Sequence, residues 1–208
     1  MKLLLNDRRE QTPSGYSAQE ESDLAKQLDL LAWFSAKSTA PVYLTGGLSL
    51  SLLQGDFHRR HHDVDFIVFE SDLPEFGKYA DKLGYDFFTR TASIRLASKT
   101  LQLLMPTSSQ DIIASRKRHL RLVHRADISG LRKNIDLFVY DTSNLDAPRF
   151  VQNYGGAKIP RDSFYPITAV PYGSGNFLIP NPAHLSYFKK PTDAASALDL
   201  QLIGQAKA

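Results

Sequence analysis

The sequence predicts an α/β (α+β) domain: a mixed sheet flanked by helices, with a small helical or irregular C-terminal part. Three observations predict it. Runs such as "DVDFIVF", residues 63–69, have strand length and are rich in β-branched and aromatic side chains. Other segments space their apolar residues three and four apart, as Leu24, Leu28, Leu31 and Phe34 do. Glycines punctuate the junctions, notably Gly46-Gly47, Gly55 and Gly84. With 208 residues, 42% of them hydrophobic and 23% charged, the chain can build one large core or two small ones tightly joined.

Residues 1–14 are polar and lead into Pro13-Ser14-Gly15, which predicts a loose arm. A helix follows, with Ser17 as its N-cap and Glu20 completing a capping box. "PVYLTGG" reads as a short strand running into a turn, and "LSLSLLQG" as a helix ending at Gly55. After the strand at 63–69, Ser71 or Asp72 caps a helix over "LPEFGKYADKLG", closed by Gly84. "YDFFTRTASIRLASKTLQLLMP" holds two or three strands, and residues 108–119 read as helical. "RLVHRADISGLRKNIDLFVY" reads as a hairpin turning at Ser129-Gly130. From Asp141 to Pro182 the chain is rich in Pro, Gly, Asn and Tyr and shows little period. "PNPAHLSYFKK" and "DAASALDLQLIGQ" close it with helical pieces.

Composition narrows the chemistry. No apolar run approaches the roughly 18 residues that span a bilayer, so no membrane association is expected. The start, "MKLLLNDRRE", is too short in apolar residues for a signal peptide, which points to the cytoplasm. There is no cysteine, so any metal must sit on oxygen or imidazole. The net charge of +3 and pI near 9.0 suit a polyanionic ligand such as a nucleotide without demanding nucleic acid. The basic run Ser115–Arg125, with Arg116, Lys117, Arg118, Arg121 and Arg125, reads first as a solvated face and second as an RNA-binding patch.

Chemistry gathers between Leu44 and Phe66. Gly46-Gly47 lies between a strand and a helix, where backbone can approach a phosphate and the first helical N–H groups face it. Ser49 adds a hydroxyl in that first turn, and Arg59 and Arg60 supply guanidinium groups for phosphate oxygens. Side chains alternate along a strand, so Asp63 and Asp65 share a face; two such carboxylates repel, and a divalent cation relieves them. Asp136 sits in an apolar strand between Ile135 and Leu137, where a charge is costly without a partner. It is the candidate third carboxylate, with Asp127 and Asp141 as rivals. His61 and His62 face opposite sides of the strand entry, which disfavours zinc; His61 is assigned to orienting the carboxylates or to phosphate. His119, His124 and His184 are read as surface or packing residues.

Together, Gly46-Gly47, Ser49, Arg59-Arg60-His61-His62-Asp63-Val64-Asp65 and Ile135-Asp136-Leu137 resemble the DNA-polymerase-β-type nucleotidyltransferase superfamily. The pattern R-x-H-x-D-x-D, met by Arg59, His61, Asp63 and Asp65, is most similar to the lincosamide and aminoglycoside 2″-type adenylyltransferases. The choline-phosphate transferases of surface glycans are more distant relatives by pattern. The C-terminal "FYPITAVPYGSGNFLIPNPAHLSYFKKPTD" resembles the family's segment after the third Asp, though its Lys189, Lys190, Asp193 and Asp199 depart from the family's tail spacing. The resemblance implies a nucleotidyltransferase core at 15–141 and a substrate-side subdomain at 142–208. It implies two Mg²⁺ ions on Asp63, Asp65 and Asp136, with an NTP as co-substrate and pyrophosphate released. Gly46, Gly47, Ser49, Arg59, His61 and Lys189 would bind nucleotide or phosphate, and Asp136 would take the acceptor's proton.

The acceptor expected is a hydroxyl-bearing small molecule, walled by the segment Phe164–Tyr187 with Tyr165, Tyr172 and Phe177. One alternative is a nucleotidyltransferase toxin acting on tRNA or a protein, with RNA docked through Arg116–Arg125. Another is a catalytically silent nucleotide- or partner-binding domain.

Overall fold

The computed structural model describes residues 22, 24–26, 28–29, 32–33, 36, 41–55, 59, 61, 63–96, 99–116, 119–125, 134–141, 149–150, 157–172, 175–187, 189–191 and 194–205. The arm at 1–14, the Ser17–Glu20 capping box and the Ser129-Gly130 turn lie outside the described residues.

Among the described residues ten strands form one sheet. They are β1 (Tyr43–Thr45), β2 (Asp63–Phe69), β3 (Tyr85–Leu96), β4 (Lys99–Thr107), β5 (His119–His124), β6 (Asn134–Asp141), β7 (Arg149–Phe150), β8 (Ala157–Lys158), β9 (Thr168–Tyr172) and β10 (Gly175–Ile179). The main path runs β4-β3-β5-β6-β2-β1-β10-β9, with β7 against β6 and β8 against β7. β2 pairs parallel with β6, and β1 parallel with β10; the other pairs are antiparallel. The hairpin expected at 121–140 is the β5–β6 pair, and "YDFFTRTASIRLASKTLQLLMP" resolves into two strands, β3 and β4.

The central strands are covered on both sides, so β2 reads as a nearly continuous apolar run. Val64, Phe66 and Val68 of β2, Ile135, Leu137 and Val139 of β6, and Leu120 and Leu122 of β5 lie in one cluster with the helices. Leu24 and Leu28 join it from the helical residues between 22 and 36, and Leu48 and Leu52 from α1 (Gly46–Gln54). Leu73, Phe76 and Ala80 come from α2 (Leu73–Lys82) and Ile112 from α3 (Ser109–Ser115). Alternation sends Ile67, Phe69 and Tyr140 to a second cluster with Tyr43, Ile159 and Phe164. That same face carries Asp65 and Asp136.

The helix ends follow local chemistry. Gly55 and Gly84 take positive φ after α1 and α2, as their positions predict. Asp72 precedes α2 but makes no side-chain cap; a 3₁₀ turn at Glu70–Asp72 and Pro74 in the first turn start that helix instead. The 108–119 segment is shorter than expected. Ser108 and Asp111 form a reciprocal capping box for α3, and the chain leaves the helix at Arg116 to become β5.

The largest difference from expectation is at the C-terminal end. The Pro/Gly-rich stretch supplies α4 (Arg161–Phe164) and, besides β7 and β8, the strands β9 and β10, which complete the main sheet beside β1. Pro171 fits because β9 is an edge strand, where a missing N–H need not break a ladder. Tyr172 and Phe177, expected to wall an acceptor pocket, are 2% exposed and pack against the helix-side core. Beyond a 3₁₀ segment (Pro182–Tyr187), α5 (Ala194–Gln205) docks Ile203 against Leu50 of α1 and Leu185. No helix among the described residues is long and apolar enough to cross a membrane.

Candidate active site

β1 passes straight into α1, so Gly46 and Gly47 are the first two helical residues. Gly46 has φ +73°, a conformation that side chains rarely adopt. A Cβ there would lie 2.0 Å from Asp65 Oδ2, and one on Gly47 would lie 1.8 Å from Arg59 Nη2. The glycines therefore admit a carboxylate and a guanidinium directly onto the turn. Ser49 is placed differently from expectation: its hydroxyl donates to the Gly46 carbonyl at 2.7 Å, and the residue is buried. It braces the turn.

A second brace comes from a histidine the sequence did not single out. His184 is fully buried, with Nδ1 2.6 Å from the Asn181 carbonyl and Nε2 2.8 Å from Thr45 Oγ1. A carbonyl only accepts, so Nδ1 carries the proton and Nε2 accepts from the Thr45 hydroxyl. Burial pushes the imidazole down to about 4, so it stays neutral at physiological pH. This contact ties the 3₁₀ segment to the residue just before Gly46.

The parallel register of β2 and β6 sets Asp65 opposite Asp136. Directly paired residues share a face, so the two carboxylates lie on neighbouring strands beside the Gly46 turn. Asp63 stands opposite Asn134 in the same register. Asp136 is 8% exposed and already has company. Arg121, its antiparallel partner on β5, donates from Nε to Oδ1 at 3.0 Å. His119 Nε2 lies 3.7 Å from the same oxygen, its ring stacked on Phe138 with centroids 4.7 Å apart. Burial raises the Asp136 carboxyl, but the neighbouring His119 ring and the Arg121 guanidinium outweigh it and hold the group below the usual carboxylate range. His119 thus stands beside Asp136 while its ring packs on Phe138. Rivalry from Asp141 ends with its place five residues further along β6; Asp127 lies outside the described residues.

The donor set suits a hard divalent cation: carboxylate oxygens, with no thiolate in the chain. Each carboxylate has about four lone-pair positions, so Asp136 can hold Arg121 and still offer oxygen to an ion. Among the described side chains no three acidic or histidine residues form a metal-sized cluster; the Asp63 side chain is not among those described.

On the other side of the turn stand the cations. Arg59 donates Nε and Nη2 to the two oxygens of Asp199, both at 2.8 Å, and Lys189 Nζ lies 2.6 Å from Asp199 Oδ2. Asp199 has no exposed surface. Its signal was present in the sequence, since it sits between Leu198 and Leu200 as Asp136 sits between Ile135 and Leu137. His61 is buried with Nε2 2.8 Å from Ser51 Oγ, which fastens the approach to β2 onto α1.

Among its described residues the basic run does not form one face. Arg121 turns inward to Asp136, whereas Arg125 bonds Asp86 at 2.7 Å and also Asp81. Arg116 is exposed at the end of α3; Lys117 and Arg118 lie outside the described residues. Two of the five cations expected to bind RNA are thus engaged with carboxylates, and the RNA reading gains no support.

No family model matches the chain, and no curated protein sequence does. Solved structures do. The lincosamide antibiotic adenylyltransferase LnuA, lincomycin-bound, aligns over 88% of this chain and 96% of its own, with 14% identity and a TM-score of 0.52. ANT(2″)-Ia in complex with adenylyl-2″-tobramycin aligns over 90% of each chain, with 11% identity and a TM-score of 0.56. The solution structure of ANT(2″)-Ia covers 91% of this chain and 86% of its own, with 13% identity and a TM-score of 0.54. At such identities the likeness is one of architecture: this chain has the nucleotidyltransferase fold found in these adenylyltransferases.

Proposed function

We propose that the protein is a nucleotidyltransferase that moves a nucleoside monophosphate from an NTP to a hydroxyl of a small-molecule acceptor, with Mg²⁺ as its metal. The observation that carries this reading is the register of Asp65 with Asp136 beside the Gly46 turn, with Arg59 and Lys189 across it. A silent nucleotide binder has no need of two neighbouring carboxylates on one sheet face.

Asp63, Asp65 and Asp136 would hold the metal, which when bound neutralises phosphate charge and polarises the α-phosphoryl group. The first N–H groups of α1, Arg59 and Lys189 bind the triphosphate tail. The acceptor oxygen forms a bond to the α-phosphorus, the bond from that phosphorus to the bridging oxygen breaks, and pyrophosphate leaves. Asp136 takes the acceptor's proton; the charges beside it keep the carboxylate ionised and so able to accept. With pyrophosphate departing on the Arg59 side, in-line geometry puts the acceptor toward β5, where His119 and Arg121 stand, with Phe138 of β6 opposite His119. Two of the similar solved structures hold lincomycin and adenylyl-2″-tobramycin, which supports a small-molecule acceptor here.

The test is pyrophosphate release from each NTP with Mg²⁺ and a panel of hydroxyl-bearing small molecules, with total RNA as a parallel acceptor. Acceptor-dependent release with a small molecule is the expected result. RNA labelling, or no NTP binding at all, would overturn the reading.

A further inference from the structure

One buried carboxylate joins three parts of the chain at Gly47, one of them 140 residues away. Asp199 comes from α5, Arg59 from the approach to β2, and Lys189 from the stretch after the 3₁₀ segment. A Cβ on Gly47 would meet Arg59 Nη2 at 1.8 Å and Asp199 Oδ2 at 2.9 Å, so the pair lies on the turn itself. Docking α5 does not call for this arrangement, because Ile203 already packs on Leu50 and Leu185. Replacing buried ion pairs by apolar groups is often neutral or stabilising, so holding two cations and a carboxylate here needs a reason other than stability. The helix N-terminus at this turn also favours an anion.

We propose that Asp199 is the positioning residue of the phosphate subsite, holding Arg59 and Lys189 side by side over Gly47 to receive the β- and γ-phosphates that leave as pyrophosphate. This rests on the nucleotidyl-transfer reading above. A bidentate carboxylate fixes the plane of the guanidinium, and its second oxygen fixes the ammonium beside it. Both cations then present their charge without reorganising when the triphosphate arrives. Asp199 itself touches no substrate.

Calorimetric titration of the full chain with inorganic pyrophosphate, ATP and AMP tests this, alongside steady-state kinetics. For Asp199→Asn the expected result is affinity for pyrophosphate and ATP lowered about tenfold or more, the scale of a lost charge-assisted contact. AMP affinity and the acceptor KM should stay within about twofold, because neither involves the tail phosphates; a general structural defect would move all of them together. Should the Asn variant not fold, Arg59→Lys decides the matter. Lysine keeps the charge but cannot make the paired contact, and the same selective loss is expected. A parent that binds neither ATP nor pyrophosphate would overturn the nucleotidyl-transfer reading and this proposal with it. A parent that binds ATP, with variants that keep full pyrophosphate affinity or lose AMP equally, would overturn the positioning role alone.

Discussion

Gly46 and Gly47 answer to different neighbours, and substitutions there should fail in different ways. Alanine at 46 meets both a positive φ and the Asp65 carboxylate. At 47 the obstacle is the far end of the Arg59 side chain, which can move aside. Gly47→Ala should therefore fold but displace Arg59 from Asp199, lowering stability by roughly 1–3 kcal/mol, the cost of disturbing a buried charged contact. Chemical denaturation read beside pyrophosphate affinity checks this, and a variant with unchanged affinity would contradict it. Asp65→Asn keeps shape and loses charge. Its expected signature is activity reduced at least about 100-fold, the scale of one preorganised electrostatic contact, with melting temperature unchanged or raised. Undiminished turnover, or an unfolded variant, would count against the assignment. These carboxylates were legible because alternation and apolar flanks are local signals. Asp199 gave the same local signal, but its partner Arg59 is 140 residues away, and no spacing rule reaches that far.

At the scale of elements, the 3₁₀ segment and β1 are joined through a neutral histidine, which makes their union sensitive to acid. His184 has its folded-state value depressed to about 4 from an ordinary 6.5. The unfolded chain therefore binds more protons between those values. The contribution is complete above pH 6.5 and is lost as pH falls toward 4, a loss on the order of 3 kcal/mol at 1.36 kcal/mol per unit. His184→Gln is expected to be less stable at pH 7.5 but to show a flatter decline from pH 6.5 to 4.5 in urea titrations. Parallel slopes in parent and variant would exclude the histidine as the source. The elements near this joint were the least readable in advance. Edge strand β9 tolerates Pro171, so a composition that signals loop elsewhere is compatible with strand here. The strands β2 and β6, in contrast, announced themselves because two covered faces demand apolar residues at nearly every position.

For the whole molecule, the carboxylate side of the site belongs to the sheet centre, and the cation side depends on the C-terminal stretch. Contacts between Arg59 and Asp199, and between Thr45 and His184, span 140 and 139 residues. Closing such loops costs chain entropy before any contact rewards it, so these unions are expected late in folding. During synthesis the Gly46 turn and both carboxylate strands leave the ribosome long before Asp199 does. A nascent or half-folded chain would thus own the carboxylates yet lack the grip on the phosphate tail, and nucleotide affinity becomes a clock for maturation. In refolding experiments, ATP binding should appear after the bulk of the fluorescence change of Trp33. Simultaneous recovery would mean that the long-range clasp closes with the core. The same order would keep unfinished chains from engaging the cell's NTP pool.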